Sequence, residues 1–274
     1  MLFKTNIVID TRYLAWRAYH SLQGLEIDGI GTSVLFGVMR SVSDVVKRNH
    51  GTCYTTWCFD VGSSKRRELD HTYKANRRED VDPDQKAYMK EVTKQIDHLR
   101  SDILPAMGFK NLLWQAGHEA DDLIATSCRA NHDESIILSA DQDLYQLLDA
   151  TTFIWKFKTR SFYNVKQFRE EYGVDPSQWA RVKAIAGCSS DNIKGVKGVG
   201  EKTACKFLND QLKHESKKYK DIKASKEMCV NNLKLTKLPM RGTEYPDLDT
   251  TGPDYARINE VLKTYGIYDY EFGV

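Results

Sequence analysis

Long apolar runs are missing from this 274-residue chain. No stretch approaches the ~20 consecutive apolar residues that a membrane-crossing helix needs, so a spanning helix is excluded. The opening MLFKTNIVID reaches Asp10 too soon to hold the apolar region of a signal peptide, which makes a cytoplasmic location the expectation. Cysteine pairs of the C-x-x-C type are also absent. The six cysteines, at 53, 58, 128, 188, 205 and 229, therefore read as reduced thiols rather than a disulfide framework. Proline is scarce, and three of the six prolines fall between 237 and 253, which marks that stretch as irregular connection. Large net charge is lacking too, at +2. With 41% hydrophobic residues the chain has enough apolar material for a core, and disorder throughout is excluded.

What is present is an uneven distribution of charge. From Glu79 to Ala150 there are 15 acidic and 6 basic residues, a balance of −9. From Ser63 to Arg78 the count is 6 basic against 2 acidic, and from Lys194 to Lys226 it is 10 against 4. An acidic centre between two basic stretches suits metal ions in the middle and a polyanion held from either side. Solvated helix faces are the plainer account of each run taken alone.

Asn6–Ile9, Thr52–Phe59, Phe109–Trp114, Ser135–Ser139 and Thr152–Phe157 read as strands. Apolar positions at helical spacing over Thr32–Lys47 and from Tyr88 to Ile103, and the segment Glu119–Ala130, read as helices. The alternation predicts an α/β fold, with a mostly parallel central sheet flanked by helices. The strand signal fades after about Val165, and Lys-rich helices take over. The expected division is a core at 1–175, which includes an exposed excursion from Gly62 to Pro83 with almost no apolar residues, and a helical region at 176–274.

Three predicted strands end on carboxylates: Asp10, Asp60 and Asp141, the last followed by Asp143. Ligand sites in open parallel sheets lie beyond the carboxyl ends of the strands, so these acids converge. Glu119, Asp121 and Asp122 add to them at a helix start. Single acids at such positions commonly serve as caps or turn residues. Together they would repel strongly without cations, and oxygen donors with few histidines suit Mg²⁺ or Mn²⁺ rather than zinc. Two-metal phosphoryl chemistry is the expected use. Further along, Gly195, Gly198 and Gly200 form a G-x-x-G-x-G turn between helical segments, with Lys194, Lys197, Lys202 and Lys206 around it. Such a turn presents backbone N–H groups and positive charge to phosphate. An ordinary tight turn is the alternative.

The segments IVIDTRYLAWRAYHS, CFD, TYKANRRE, GHEADDLIAT, SADQDLYQLL and AGCSSDNIKGVKGVGEKTA occur in that order. With them the chain resembles the 5′-nuclease or flap endonuclease family, over roughly residues 5 to 210. The nearest-looking relatives are phage 5′-exonucleases and the 5′-nuclease domain of bacterial DNA polymerase I. The resemblance implies a PIN-like nuclease core, a helical arch at about 62–100 built from the excursion after Asp60, and a helix-three-turn-helix element at the glycine turn. It implies a first metal group of Asp10, Asp60, Glu119 and Asp121, with Asp122 close by, and a second drawing on Asp141, Asp143 and Asp191. Lys74 and Arg77 would contact and stabilise the scissile phosphate. Tyr73, Arg78 and Arg17 would be further DNA contacts, and Trp16 would stack on a base. Lys194, Gly195, Lys197, Gly198, Gly200 and Lys202 would hold duplex DNA, with a K⁺ beneath the turn.

The substrate implied is DNA with a free 5′ end or 5′ flap, including RNA primers on DNA, cut by a monomer in replication or repair. A phage or stand-alone bacterial enzyme is expected. Two positions depart from the family pattern. Thr11 stands where glycine is usual, and Cys188 stands where the motif Gly-Asp-x-x-Asp-Asn has its first carboxylate. A neutral thiol is a poor Mg²⁺ ligand, so the second site is expected to be weaker. The sequence leaves two rivals: a PIN-type ribonuclease, which would normally lack the glycine turn and arch, and a junction-binding protein that has lost catalysis.

Overall fold

The computed structural model describes residues 4–22, 25–27, 29–49, 53–77, 82–130 and 133–273. Its centre is a six-stranded sheet. The strands are β1 (Thr5–Asp10), β2 (Cys53–Cys58), β3 (Asn111–Leu113), β4 (Ser135–Leu138), β5 (Thr152–Lys156) and β6 (Ser161–Tyr163), in spatial order β3-β2-β1-β4-β5-β6. Every pairing is parallel except β5 with β6. The five expected strands are all present. The antiparallel edge strand β6 is an addition, three residues long and too short to carry a periodic signal.

Period-two alternation explains how the sheet is covered. Ile7, Ile9, Trp57, Ile136 and Leu138 point to one face, where Val38, Val42 and Val45 of α2 (Ser33–Arg48) and Leu14 of α1 (Thr11–Ser21) pack on them. Val8, Cys58 and Ile137 point to the other, against Leu123 and Ile124 of α4 (Ala120–Ala130). The helix α3 (Pro83–His98) follows the excursion and buries Val92 against the first face. Every residue of β1 and β2 is buried, as expected of parallel strands covered on both sides.

Sequence periodicity missed α1. It buries Leu14, Ala15 and Ala18, mostly small residues that leave a weak stripe, and Asp10 caps it directly after β1. In the second half, α5 (Trp179–Ala186), α6 (Glu201–Leu208) and α7 (Lys226–Thr236) gather around Trp179, Val182 and Ile185 on the second face. The expected unit 176–274 is split in space. α8 (Tyr255–Thr264) returns to the first face, where Ile258, Leu262 and Phe272 join Met107 and Phe109. Apolar residues near the end of the chain find their burial there. The connection at 237–254 contains no helix or strand, as the prolines suggest. Among the described residues no helix is long and apolar enough to cross a membrane.

Candidate active site and nucleic-acid interface

The in-register pairing of Asp10 with Cys58 and of Ile9 with Leu138 sends three chain segments out of the sheet at one edge. There a cleft of 480 Å³ is lined by Asp10, Asp60, Asp121 and Asp141, together with Lys74, Arg77, Tyr13 and Trp16. Each acid is set by its backbone surroundings. Asp10 Oδ1 accepts from the Tyr13 amide at 3.0 Å, and Oδ2 accepts from Ser139 Oγ at 2.7 Å. Ser139 Oγ in turn accepts from the Asp141 amide at 3.1 Å, so one hydroxyl ties the ends of β1 and β4 together. Asp60 accepts from the Ala120 amide at 2.9 Å. Asp141 caps the turn that follows β4 by accepting from the Asp143 amide at 2.8 Å.

Crowding shows in the acid strengths. Burial pushes the Asp10 carboxyl up to about 7, with the charges of Asp60 and Asp141 adding to it. Burial, then Asp141 and Asp10, hold Asp121 well above the carboxylate range, while Lys74 opposes them. A set of oxygen donors that repel one another in this way fits a hard divalent cation. Burial works against the Lys74 ammonium, but Glu119, Asp191 and Asp121 outweigh it and raise its pKa above that of an ordinary lysine.

Asp122 is a correction to the sequence reading. It is fully buried, and Arg66 grips both of its oxygens, at 2.6 and 2.7 Å. The amides of Glu119 and Met240 donate to it as well. It faces away from the cleft and has a structural partner. Tyr73 is a second correction. It is buried, and its hydroxyl donates to Glu119 at 2.9 Å, so it supports the site from behind instead of meeting solvent. Glu119 itself is held by Lys74 at 2.9 Å, Tyr73 and Arg66, and is not among the side chains lining the cleft. Arg17 lies elsewhere too. Its guanidinium sits 4.7 Å from the centre of the Phe157 ring, in a separate 490 Å³ cavity lined by Arg40, Lys47 and Arg160. Trp16 does line the cleft, with its ring 5.4 Å from that of Tyr88 in α3. Arg78 lies outside the described residues.

Beside the cleft, ligand atoms of Asp143, Cys188 and Asp191 lie within 4.8 Å of one another. No other such trio closes to this distance among the described residues. Burial and Asp141 raise Asp143 to about 6, against the pull of Lys183, whose ammonium is 3.4 Å away. Burial also pushes the Cys188 thiol up. Arg77 donates to Asp191 at 2.7 Å, Asn76 to the Ser189 carbonyl at 2.9 Å, and the Lys74 amide to the Asp191 carbonyl at 2.9 Å. The segment after Asp60 is thereby fastened to the loop at 189–191. Lys74 adopts φ 54° at this junction.

The glycine turn divides by role. A Cβ on Gly195 would lie 2.1 Å from the Ala186 carbonyl oxygen, and one on Gly187 would lie 2.4 Å from the Gly195 amide, so these two allow close backbone packing. Gly198 and Gly200 face open space, and Gly200 caps α6 without a side chain. Lys194, Lys197, Lys202 and Lys206 are exposed around them. Sequence reasoning missed Ser139, Arg66 and Lys183 as positioning groups. Ser139 stands beside the predicted acids, whereas Arg66 and Lys183 act on partners remote in the chain and carry no local signal.

The model of the 5′-3′ exonuclease N-terminal resolvase-like domain matches residues 5–173, and that of the 5′-3′ exonuclease C-terminal SAM fold matches residues 174–240. The chain belongs to the 5′-3′ exonuclease family. It is 32% identical to the 5′-3′ exonuclease of Bacillus subtilis over 216 residues, covering 74% of this chain and 69% of that protein. It is also 32% identical over 212 residues to the thermostable DNA polymerase I of Thermus aquaticus, of which it spans only 24%. Among solved structures, a T5 5′-exonuclease with bound zinc superposes with a TM-score of 0.73 and 22% identity, over 96% of this chain and 98% of that one. A bacteriophage T5 flap endonuclease in complex with DNA and metal ions gives 0.72 and 24%, over 86% and 90%. Both show that the fold is shared with these two nucleases.

Proposed function

We propose that this chain is a structure-specific, divalent-metal-dependent 5′-nuclease that hydrolyses DNA phosphodiesters near a free 5′ end or flap. The observation that carries the reading is the convergence of Asp10, Asp60, Asp121 and Asp141 on one cleft that also receives Lys74 and Arg77. The four carboxylates would hold Mg²⁺ or Mn²⁺. A bound hard cation there supplies charge neutralisation at the phosphate and a lower pKa for water. The protein's own contribution is positioning. Ser139 fixes Asp10 relative to Asp141. Glu119 anchors the Lys74 ammonium at the cleft, where it and Arg77 offset charge on the scissile phosphate. Trp16 offers a ring for a base, a contact of ~1–3 kcal/mol that tolerates any sequence.

The open backbone at Gly198 and Gly200 and the lysines around it would grip duplex phosphates, with K⁺ as a second cation under the turn. The segment from residue 62 to α3 would act as the arch over a single strand. RNA–DNA hybrids as substrate, a monomeric state, a cytoplasmic location and a role in primer removal belong to the same reading. A 5′-labelled flap substrate with Mg²⁺ tests it. Cutting that leaves a 5′-phosphate and a 3′-hydroxyl, and that is lost in Asp141→Ala, supports the proposal. Tight binding without cutting in Mg²⁺ or Mn²⁺ refutes it.

A further inference from the structure

We propose that Asp143, Cys188 and Asp191 form a mixed carboxylate–thiolate site that takes a thiophilic divalent cation, such as Zn²⁺, in preference to Mg²⁺. The inference rests on the reading of the adjacent all-oxygen cleft as the site of a hard cation, and it assigns a different ion chemistry to the position beside it. Three observations carry it. The donor atoms lie within 4.8 Å of one another, and two ligands on one zinc at ~2.0–2.3 Å can be no more than ~4.5 Å apart, so small side-chain rotations close the site. The Cys188 backbone is fixed by antiparallel pairing with Ile193, and among the described residues the hydrogen-bond partner of its Sγ is Ser190 Oγ at 3.0 Å, a weak contact to exchange for a metal. The two carboxylates already have cationic neighbours, Lys183 and Arg77, so electrostatic attraction for an incoming ion is reduced. Mg²⁺ depends on that attraction, whereas a thiophilic ion gains a sulfur bond. On binding, the Cys188 S–H bond breaks, its proton leaves to solvent, and an S–metal bond forms without any change of oxidation state.

The experiment titrates the metal-free full chain with Cd²⁺ and follows the ultraviolet thiolate-to-metal charge-transfer band, with Zn²⁺ as competitor. The band is expected in the wild type, absent in Cys188→Ser, and shifted at least ~10-fold to higher Cd²⁺ in Asp143→Asn. The other five cysteines are present in all three proteins and serve as the internal control. In parallel, Cys188→Asp is expected to lower the Mg²⁺ concentration for half-maximal flap cleavage by ~10-fold or more. A band that persists in Cys188→Ser, or a Mg²⁺ requirement unchanged in Cys188→Asp, overturns the inference. Absence of cleavage with any metal alongside a Cys188-dependent band removes the nuclease reading and leaves this site standing.

Discussion

Asp10 carries the sharpest consequence at the scale of single residues. Its carboxyl titrates near 7 in the fold against 3.8 for the ordinary group. Between those values the folded chain binds more protons than the unfolded one. The Asp10 contribution to stability is therefore favourable below about pH 4, is lost as pH rises toward 7, and is level above. Asp143, raised to about 6, acts in the same direction over a narrower window. In EDTA, Asp10→Asn is expected to be more stable than the wild type at pH 8 by an amount on the order of 2 kcal/mol, with the gap closing toward pH 5. Thermal unfolding across that range checks it, and a gap that does not change with pH contradicts it. The sequence reveals Asp10, Asp60 and Asp141 because a carboxylate at the end of a buried parallel strand has one place to go. It does not separate Asp121 from Asp122. Adjacent helical residues point ~100° apart, and only the remote Arg66 decides which of the two is buried.

At the scale of elements, the Arg66–Asp122 pair locks the short helix after Asp60 to α4 and to the end of α7, through the Arg66 bond to the Leu235 carbonyl at 2.8 Å. Asp122→Ala leaves the buried Arg66 guanidinium with the longer, 3.3 Å contact to Glu119 in place of its two-pronged partner, so it should destabilise by about 3 kcal/mol with little change in metal affinity. Chemical denaturation and a metal titration of the same variant distinguish this from a ligand role, which would show the reverse pattern. The glycine turn allows a similar separation. Gly195→Ala should destabilise the turn through its clash with Ala186. Gly200→Ala, at φ −98° and facing open space, should fold with an unchanged Tm and bind duplex DNA more weakly. A Gly195→Ala protein as stable as the wild type would contradict the packing role. The turn itself is legible in the sequence, but the assignment of each glycine to packing or to a ligand requires the neighbouring backbone.

Considered as a whole molecule, the chain places its acidic cleft at the edge of a covered sheet and its lysines on a separate helical layer. Long polyanions would suit that separation, since lysines placed there would hold phosphates away from the carboxylates that repel them. Duplex affinity should fall steeply with salt. Each of Lys194→Ala, Lys197→Ala and Lys202→Ala should reduce the slope of log affinity against log salt by about 0.9, provided each meets one phosphate. Anisotropy titrations at several ionic strengths measure it, and unchanged slopes in all three would move the duplex elsewhere. The α/β alternation and the helical second half are readable from periodicity. The return of α8 to the first face is not, since an amphipathic helix does not specify which apolar surface receives it. A Mn²⁺-soaked crystal examined by anomalous scattering shows directly whether the strand-end carboxylates hold a divalent cation. A peak is expected in the cleft in contact with Asp10 and Asp121, with Asp122 still held by Arg66. A cleft without Mn²⁺, or ions bound only at acids remote from the sheet edge, would contradict it.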